Sequence, residues 1–139
     1  MPNKLRSDCP IAASLDVLGD RWTLVVLRDI LLGHCRSFSE IGSDEGIATN
    51  ILADRLDRLV AACVLERHRD PEDGRRKIYL PTERGIALIP VLVDLVVWGN
   101  AHTQATGAAE HAAAIRSDRD SVIEMLETRA REGLGGREE

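Results

Sequence analysis

Apolar and polar residues recur along this chain with two periods, and the change from one to the other predicts its architecture. Pro10 suits a first helical turn, where its missing N–H costs little. Ile11, Leu15 and Leu18 then recur at helical spacing. Gly19-Asp20 interrupts the run, and Asp20 is a suitable N-cap for a second helix from Arg21 to about Leu32. That helix carries Trp22, Val25, Val26 and Ile30 on related faces, and Gly33 marks its end. Ser37-Phe38-Ser39 precedes a short helix containing Glu40 and Ile41, and a linker runs from Gly42 to Gly46. The next helix, Thr49 to Ala62, has the clearest wheel. At about 100° per residue, Leu52, Leu56, Leu59, Val60 and Cys63 share one arc. Asn50, Asp54, Asp57, Arg58 and Ala61 share the opposite one. The first face is expected to pack and the second to meet water or a ligand.

The period then shortens. Leu65 to Arg69 reads as a strand, Pro71-Glu72-Asp73-Gly74 as a turn, and Arg75 to Leu80 as the returning strand, with Ile78 and Tyr79 favourable strand residues. Thr82 can cap a helix through Ile86, Ile89, Val93, Val96 and Val97 to Trp98, in which Pro90 requires a kink or an early break. Gly99-Asn100 is a stop signal that the helix can override as far as His102. Ala101 to Gly107 reads as a hinge, and a last helix is expected from about Asp118 to Arg131. The predicted class is mainly α with a small β-hairpin (α+β). Two short helices followed by a hairpin is the order of a winged helix-turn-helix, a device for reading DNA.

Composition sharpens this only locally. The 139 residues suit one domain, and a hydrophobic fraction of 44% with 3% aromatic residues demands an aliphatic core. The net charge of -5 does not announce a nucleic-acid partner. Its distribution is uneven, however. Glu124, Glu127, Glu132, Glu138 and Glu139 crowd the end of the chain, whereas Arg55, Arg58, Arg67, Arg69, Arg75, Arg76 and Lys77 lie between the wheel helix and the hairpin, among Asp54, Asp57, Asp70, Glu72 and Asp73. The three cysteines, Cys9, Cys35 and Cys63, are widely spaced with no CxxC, which disfavours structural zinc or a disulfide framework. The apolar run from Ile86 to Trp98 is too short for a membrane span, and the cytoplasm is the expected location. No GxSxG, phosphate-binding glycine loop or convergent acid–base set is present, so no enzyme, metal or cofactor is expected.

Several motifs together resemble the HxlR-type winged-helix transcriptional regulators. They are Cys9-Pro10-Ile11-Ala12, Leu18-Gly19-Asp20-Arg21-Trp22-Thr23-Leu24, Leu27-Arg28-Asp29, Phe38-Ser39-Glu40-Ile41, Asn50-Ile51-Leu52-Ala53-Asp54-Arg55-Leu56 and Thr82-Glu83-Arg84-Gly85. The resemblance covers roughly residues 9–99. Three departures are visible: Cys63 where the family has Gly, Pro81 where it has Leu, and Ala48 at a usual Ser cap, so that Thr49 is expected to take over capping. The resemblance implies a homodimer, built from the first helix and the long helix after the wing, on a palindromic operator in double-stranded DNA. The helix from Thr49 would enter the major groove. Asn50 would pair with a base, Thr49 and Ala53 would lie against the groove, and Arg55 and Arg58 would reach phosphates. Asp54 lies on the same face. Arg75, Arg76 and Lys77 would meet the backbone at the wing, with Ser37 or Ser39 near phosphate. It also implies that Cys9, at a helix start whose amides favour a thiolate, can serve as a redox sensor.

Plainer readings stand beside these. Trp22 and Trp98 are expected in the core, in a dimer interface or against an effector; Cys35 and Cys63 look structural; the four histidines are scattered; and Arg75-Arg76-Lys77 alone would pass for a solvated hairpin tip. The expected organisation is a flexible arm at 1–8, a DNA-binding and dimerisation domain at 9–107, a helical extension at 108–132 and a disordered tail at 133–139. The expected function is a homodimeric repressor released by a small molecule or a thiol-redox signal. The alternative is a winged-helix module that binds proteins or ligands but not DNA.

Overall fold

The computed structural model describes residues 6–42 and 44–132, so parts of the expected arm and the whole expected tail lie outside the described residues. The elements run α1 (Pro10–Leu18), α2 (Thr23–Leu31), α3 (Thr49–Ala61), β1 (Leu65–Arg69), β2 (Lys77–Pro81), α4 (Glu83–Ile86), α5 (Ile89–His102), α6 (Ala109–Ser117) and α7 (Arg119–Glu132). This is the expected class, helical with one antiparallel hairpin.

The core forms where α2, α3 and the hairpin meet. Val26, Leu27, Ile30 and Leu31 of α2 pack with Leu52, Leu56 and Leu59 of α3 and with Val64, Leu65 and Tyr79. Ile86, Ile89, Leu92 and Val93 close it from below, and Ile115, Ile123 and Ala130 of α6 and α7 extend it. In the hairpin Leu65 faces Pro81 and Arg69 faces Lys77. β2 is the inner strand: Ser37 bridges to Ile78, and the Tyr79 N–H donates to the Arg36 carbonyl at 2.7 Å. Ile78, Tyr79, Leu80 and Pro81 are therefore all buried, while charged β1 forms the edge, a usual protection against stray pairing.

Several boundaries differ from the sequence reading. Asp20 caps α2, accepting the Trp22 and Thr23 N–H groups at 2.8 and 3.0 Å, but the helix proper begins at Thr23 because Arg21-Trp22 form the entry turn. The left-handed residue after α2 is His34 (φ 58°), not Gly33. The expected helix around Glu40 is only a turn, in which the Ser37 carbonyl accepts from Glu40 and Ile41 before Gly42 (φ 73°) reverses the chain. Arg75 and Arg76 belong to the turn rather than to β2. Pro90 acts by breaking: α4 ends at Ile86 and Pro90 enters the first turn of α5. α5 then runs through Gly99-Asn100 to His102. The Ala-rich α6 is an additional helix that the sequence pattern does not announce, since Ala112 and Ile115 alone give too faint an apolar stripe.

The stretch Glu83–His102, with a mean hydropathy of 1.5, is apolar enough by length and composition to cross a bilayer, longer than the run from Ile86 to Trp98 suggests. In this fold 28% of the apolar window is buried. Ile86, Ile89, Leu92 and Val93 enter the core, and Arg119 grips Asp94 with two bonds of 2.8 and 2.9 Å.

Cys63 departs most from its expected role. It is exposed and lies beyond the helix, at φ 62°. The Val64 N–H bonds the Leu59 carbonyl and the Cys63 N–H the Val60 carbonyl, both at 3.0 Å, which is a Schellman ending with Cys at the position Gly favours. The Thr82 hydroxyl, at 2.6 Å from the Cys63 carbonyl, pins the turn. A non-glycine residue costs about 1–2 kcal/mol there, and glycine offsets part of its own advantage through a more flexible unfolded chain. Cys63→Gly is therefore expected to raise stability by about 0.5–1 kcal/mol, and Cys63→Val to lower it. The midpoint of urea unfolding checks both.

Candidate nucleic-acid interface

α3 is amphipathic in the manner its sequence requires. Leu52, Leu56 and Leu59 are buried, and Thr49, Asn50, Asp54, Asp57 and Arg58 stand exposed. Ala53 is half-buried between the faces. The helix begins at Thr49 itself with Ala48 in the cap position and no side-chain cap, so Thr49 does not assume the capping role expected of it. Thr49 and Asn50 thus lead the helix into solvent.

Two of the expected phosphate contacts are placed elsewhere. Ser37 is fully buried because the chain around it is clamped to Ile78, and its hydroxyl is taken by Glu40. That bond holds the Glu40 carboxyl below the usual carboxylate range. Ser39 does remain exposed. Arg55 turns inward: its Nε lies 3.0 Å from Asp20 Oδ1, and its second contact is Asp54. Only 18% of its side chain meets solvent, against 52% for Arg58. Arg58 reaches outward with Asp54 no nearer than 3.9 Å.

The far end of α3 is tied to the hairpin. Asp57 pairs with Arg67, whose guanidinium also lies over the Tyr79 ring at 5.4 Å and donates to its hydroxyl at 3.2 Å. At the tip Arg75 is almost wholly exposed, Arg76 pairs with Asp70 at 3.0 Å, and Lys77 is exposed with no ion pair among the described residues. The turn before α3 is strapped by Asp29, which accepts the Gly42 N–H at 2.7 Å and the Arg28 guanidinium at 2.8 Å. Asp20, Asp29 and Arg67 organise the site, a role that the sequence reading does not give them. Arg55 does carry a signal: it stands three residues after Leu52 and four before Leu59, at the border of the buried arc.

Cys9 is exposed and occupies the cap position of α1, its N–H bonded to the Ser7 hydroxyl at 3.1 Å. Cys35 is half-buried, and that burial, with Asp29 and Glu40 nearby, pushes its thiol up. An open groove of about 220 Å³ between α2 and α5 is lined by Leu24, Val25, Arg28, Leu32, Leu92, Leu95 and Val96. Neither tryptophan lines it. Trp22 is half-buried beneath the Arg21 guanidinium at 5.1 Å, and Trp98 is exposed with its ring 5.2 Å from His102. Among the described residues no group of three His, Cys, Asp or Glu side chains converges to hold a metal.

The HxlR-like helix-turn-helix family model matches residues 17–106. The chain belongs to this family. Similar proteins include the uncharacterized HTH-type transcriptional regulator Rv3095 of Mycobacterium tuberculosis, 33% identical over 90 residues, a match covering 65% of this chain and 56% of Rv3095. The chain thus spans little more than half of that relative. YodB of Bacillus subtilis is 31% identical over 94 residues, covering 66% and 83% of the two chains. Among solved structures, PA1607, a proposed transcription factor, superposes with a TM-score of 0.66 at 36% identity, covering 73% of this chain and 70% of that one. The reduced form of YodB gives 0.56 at 28% identity, covering 70% and 97%.

The Asp20 corner generates a pH test. Partial burial works to raise its pKa, but the Thr23 hydroxyl, the Trp22 and Thr23 N–H groups and Arg55 outweigh this and lower it from 3.8 to about 2. A depressed pKa contributes stability that is present above the unfolded value and lost as pH falls through the folded one. The advantage of the wild type over Asp20→Ser in urea midpoint is therefore expected to hold above pH 3.8 and to vanish as pH approaches 2.

Proposed function

We propose that the protein is a sequence-specific DNA-binding regulator that acts as a homodimeric repressor on a palindromic operator. The observation that carries this reading is the leading turn of α3, which presents Thr49 and Asn50 uncapped and exposed, in a chain of the HxlR-like family. Asn50 would pair with a base edge, since a carboxamide can engage adenine bidentately. Ala53 would let the helix approach the groove, Ser39 and Arg58 would meet phosphates, and Arg75, Arg76 and Lys77 would grip the backbone beside the wing. Phosphate contacts set position and base contacts set sequence. The work is cytoplasmic, where the DNA is.

Exposed apolar side chains support the dimer. Ile11 and Leu15 on α1, and Val91, Leu95 and Trp98 on α5, form stripes that water does not favour, and α1 has no buried residue of its own. A second copy of the chain would cover them. Release from DNA would follow oxidation of Cys9 or entry of a small apolar ligand into the α2–α5 groove. The first route is supported by the exposure of Cys9 at the start of the dimerisation arm. It is also supported by the relative YodB, whose structure is known in reduced and diamide-treated forms.

Fluorescence anisotropy with the duplex upstream of the protein's own gene, against a scrambled duplex, tests the reading. The native duplex is expected to bind more tightly, and Asn50→Ala is expected to remove about 1–3 kcal/mol of that preference. Replacing Arg75, Arg76 and Lys77 with Ala is expected to weaken both duplexes alike and to flatten the salt dependence by about 0.9 for each phosphate no longer neutralised. Equal binding of both duplexes would favour the protein-interaction module instead. Diamide treatment decides the signal: loss of binding in the wild type but not in Cys9→Ser identifies the thiol route, and unchanged binding directs attention to the groove.

A further inference from the structure

The α1–α2 corner and the recognition helix are joined at one carboxylate. Asp20 terminates the link from α1, caps α2 through the Trp22 and Thr23 N–H groups, and accepts Arg55 Nε of α3 at 3.0 Å. The corner is held by the Gly19 N–H on the Leu15 carbonyl at 2.8 Å and the Asp20 N–H on the Leu18 carbonyl at 3.0 Å, and it needs glycine, since a Cβ on Gly19 would lie 2.2 Å from the Leu15 carbonyl oxygen. Both partners are largely shielded, with 18% and 21% of their side chains exposed. A partly buried pair keeps its geometry and its strength better than a solvated one. The pair also stands apart from the apolar packing of α2 on α3, because it fixes a direction along the interface where aliphatic contacts permit sliding.

The geometry points to Arg55 as a positioning residue that sets the recognition helix relative to the α1 arm, and not as a phosphate contact. α1 bears Cys9 at one end and the Asp20 corner at the other, with Ile11 and Leu15 exposed between them. A change at the arm, whether in its dimer contacts or at its thiol, therefore has a charged route to α3 through this joint, beside the apolar packing of Val17 and Leu18 on the core. Asp54 takes a second nitrogen of the same guanidinium, so Arg55 is engaged by two carboxylates of its own chain. This role rests on α3 being the base-reading helix.

The test compares Asp20→Ser, Arg55→Gln, their double variant and Arg58→Gln. Ser can still cap α2 but is too short to reach Arg55. Salt series on the native and scrambled duplexes give an affinity ratio and a slope for each protein, and circular dichroism confirms that each is folded. Arg58→Gln is expected to reduce the slope by about 0.9, the signature of one phosphate no longer neutralised. Arg55→Gln and Asp20→Ser are each expected to leave the slope unchanged and to lower the native-to-scrambled ratio by the same factor, at least about fivefold. The double variant is expected to be no worse than either single one, because both remove one joint. A slope reduced by Arg55→Gln with Asp20→Ser silent, or additive losses, would overturn the proposal.

Hydrogen exchange on the free protein separates this from the DNA-binding reading itself. Arg55→Gln is expected to loosen the first-turn amides of α2, and Asp20→Ser those of α3. If each change stays within its own helix, the joint does not exist, whatever the duplexes do. If the exchange crosses but no protein distinguishes the duplexes, the joint stands and the operator reading falls.

Discussion

Everything in this molecule depends on α3 burying one face without surrendering the other. Leu52, Leu56 and Leu59 form a single aliphatic ridge, and α2 and the hairpin are the two surfaces it locks into. Loss of the Leu56 side chain would cost about 2–5 kcal/mol, a large share of what a domain this size possesses. With so few aromatic residues, no other cluster can substitute for that ridge. The hairpin in turn exists because β2 is covered on both edges, by β1 and by the segment at Arg36 and Ser37. The chain before the helix and the chain after it are thereby joined in one piece of sheet.

Polar contacts then remove the freedom that aliphatic packing leaves. Asp20 holds the α2–α3 junction, Asp29 straps the turn at Gly42, and Arg67 ties the end of α3 to Tyr79. Asp20 and Asp29 each have more than one donor, so burial is compensated and not merely endured. The C-terminal helices follow the same logic at longer range. Arg119 grips Asp94, Arg131 grips Glu83 with bonds of 2.8 and 2.9 Å, and Arg129 reaches the Leu32 carbonyl at the end of α2. The Arg119 and Arg131 pairs are exposed enough that water and salt weaken them. Their effect is to register α7, whose Ile123 and Ala130 supply the adhesion.

What the sequence made legible was whatever repeats locally. The wheel of α3, the turn residues of the hairpin and the cap at Thr82 are each written within a few positions, and each appears where expected. What it concealed depends on distant partners. Ser37 looks like any surface serine until the strand at Ile78 arrives to bury it. Arg55 looks like a solvated surface arginine until the corner before α2 brings Asp20 beside it. The stretch at Glu40 has helical residues, yet Gly42 reverses the chain before a second turn can form. Cys63 shows the opposite error, where a helical wheel is carried past the last helical residue. The turn there is the one glycine would make, retained at a conformational cost because Leu59, Val60 and Thr82 determine it from three sides.

The acidic balance of the chain is compatible with an anionic partner for a related reason. Asp54 and Asp57 lie on the exposed face of α3, where bare carboxylates would repel phosphate. Each is instead engaged, Asp54 with Arg55 and Asp57 with Arg67. Asp70 is likewise engaged by Arg76 at the hairpin. These pairs neutralise acidic and basic charge together and leave Arg58, Arg69, Arg75 and Lys77 against Glu66, Glu72 and Asp73, a small local surplus of positive charge between Asp54 and Lys77. Much of the net negative charge sits in the C-terminal segment. At physiological salt the screening length is about 8 Å, so a surface senses its own surplus far more than the total of the chain. Net charge is a property of the molecule, but attraction to DNA is a property of the face presented. Along α3 and the hairpin the arginines that pair with Asp54, Asp57 and Asp70 perform two tasks at once, fixing the geometry of these elements while removing the repulsion that those carboxylates would otherwise exert on an anion.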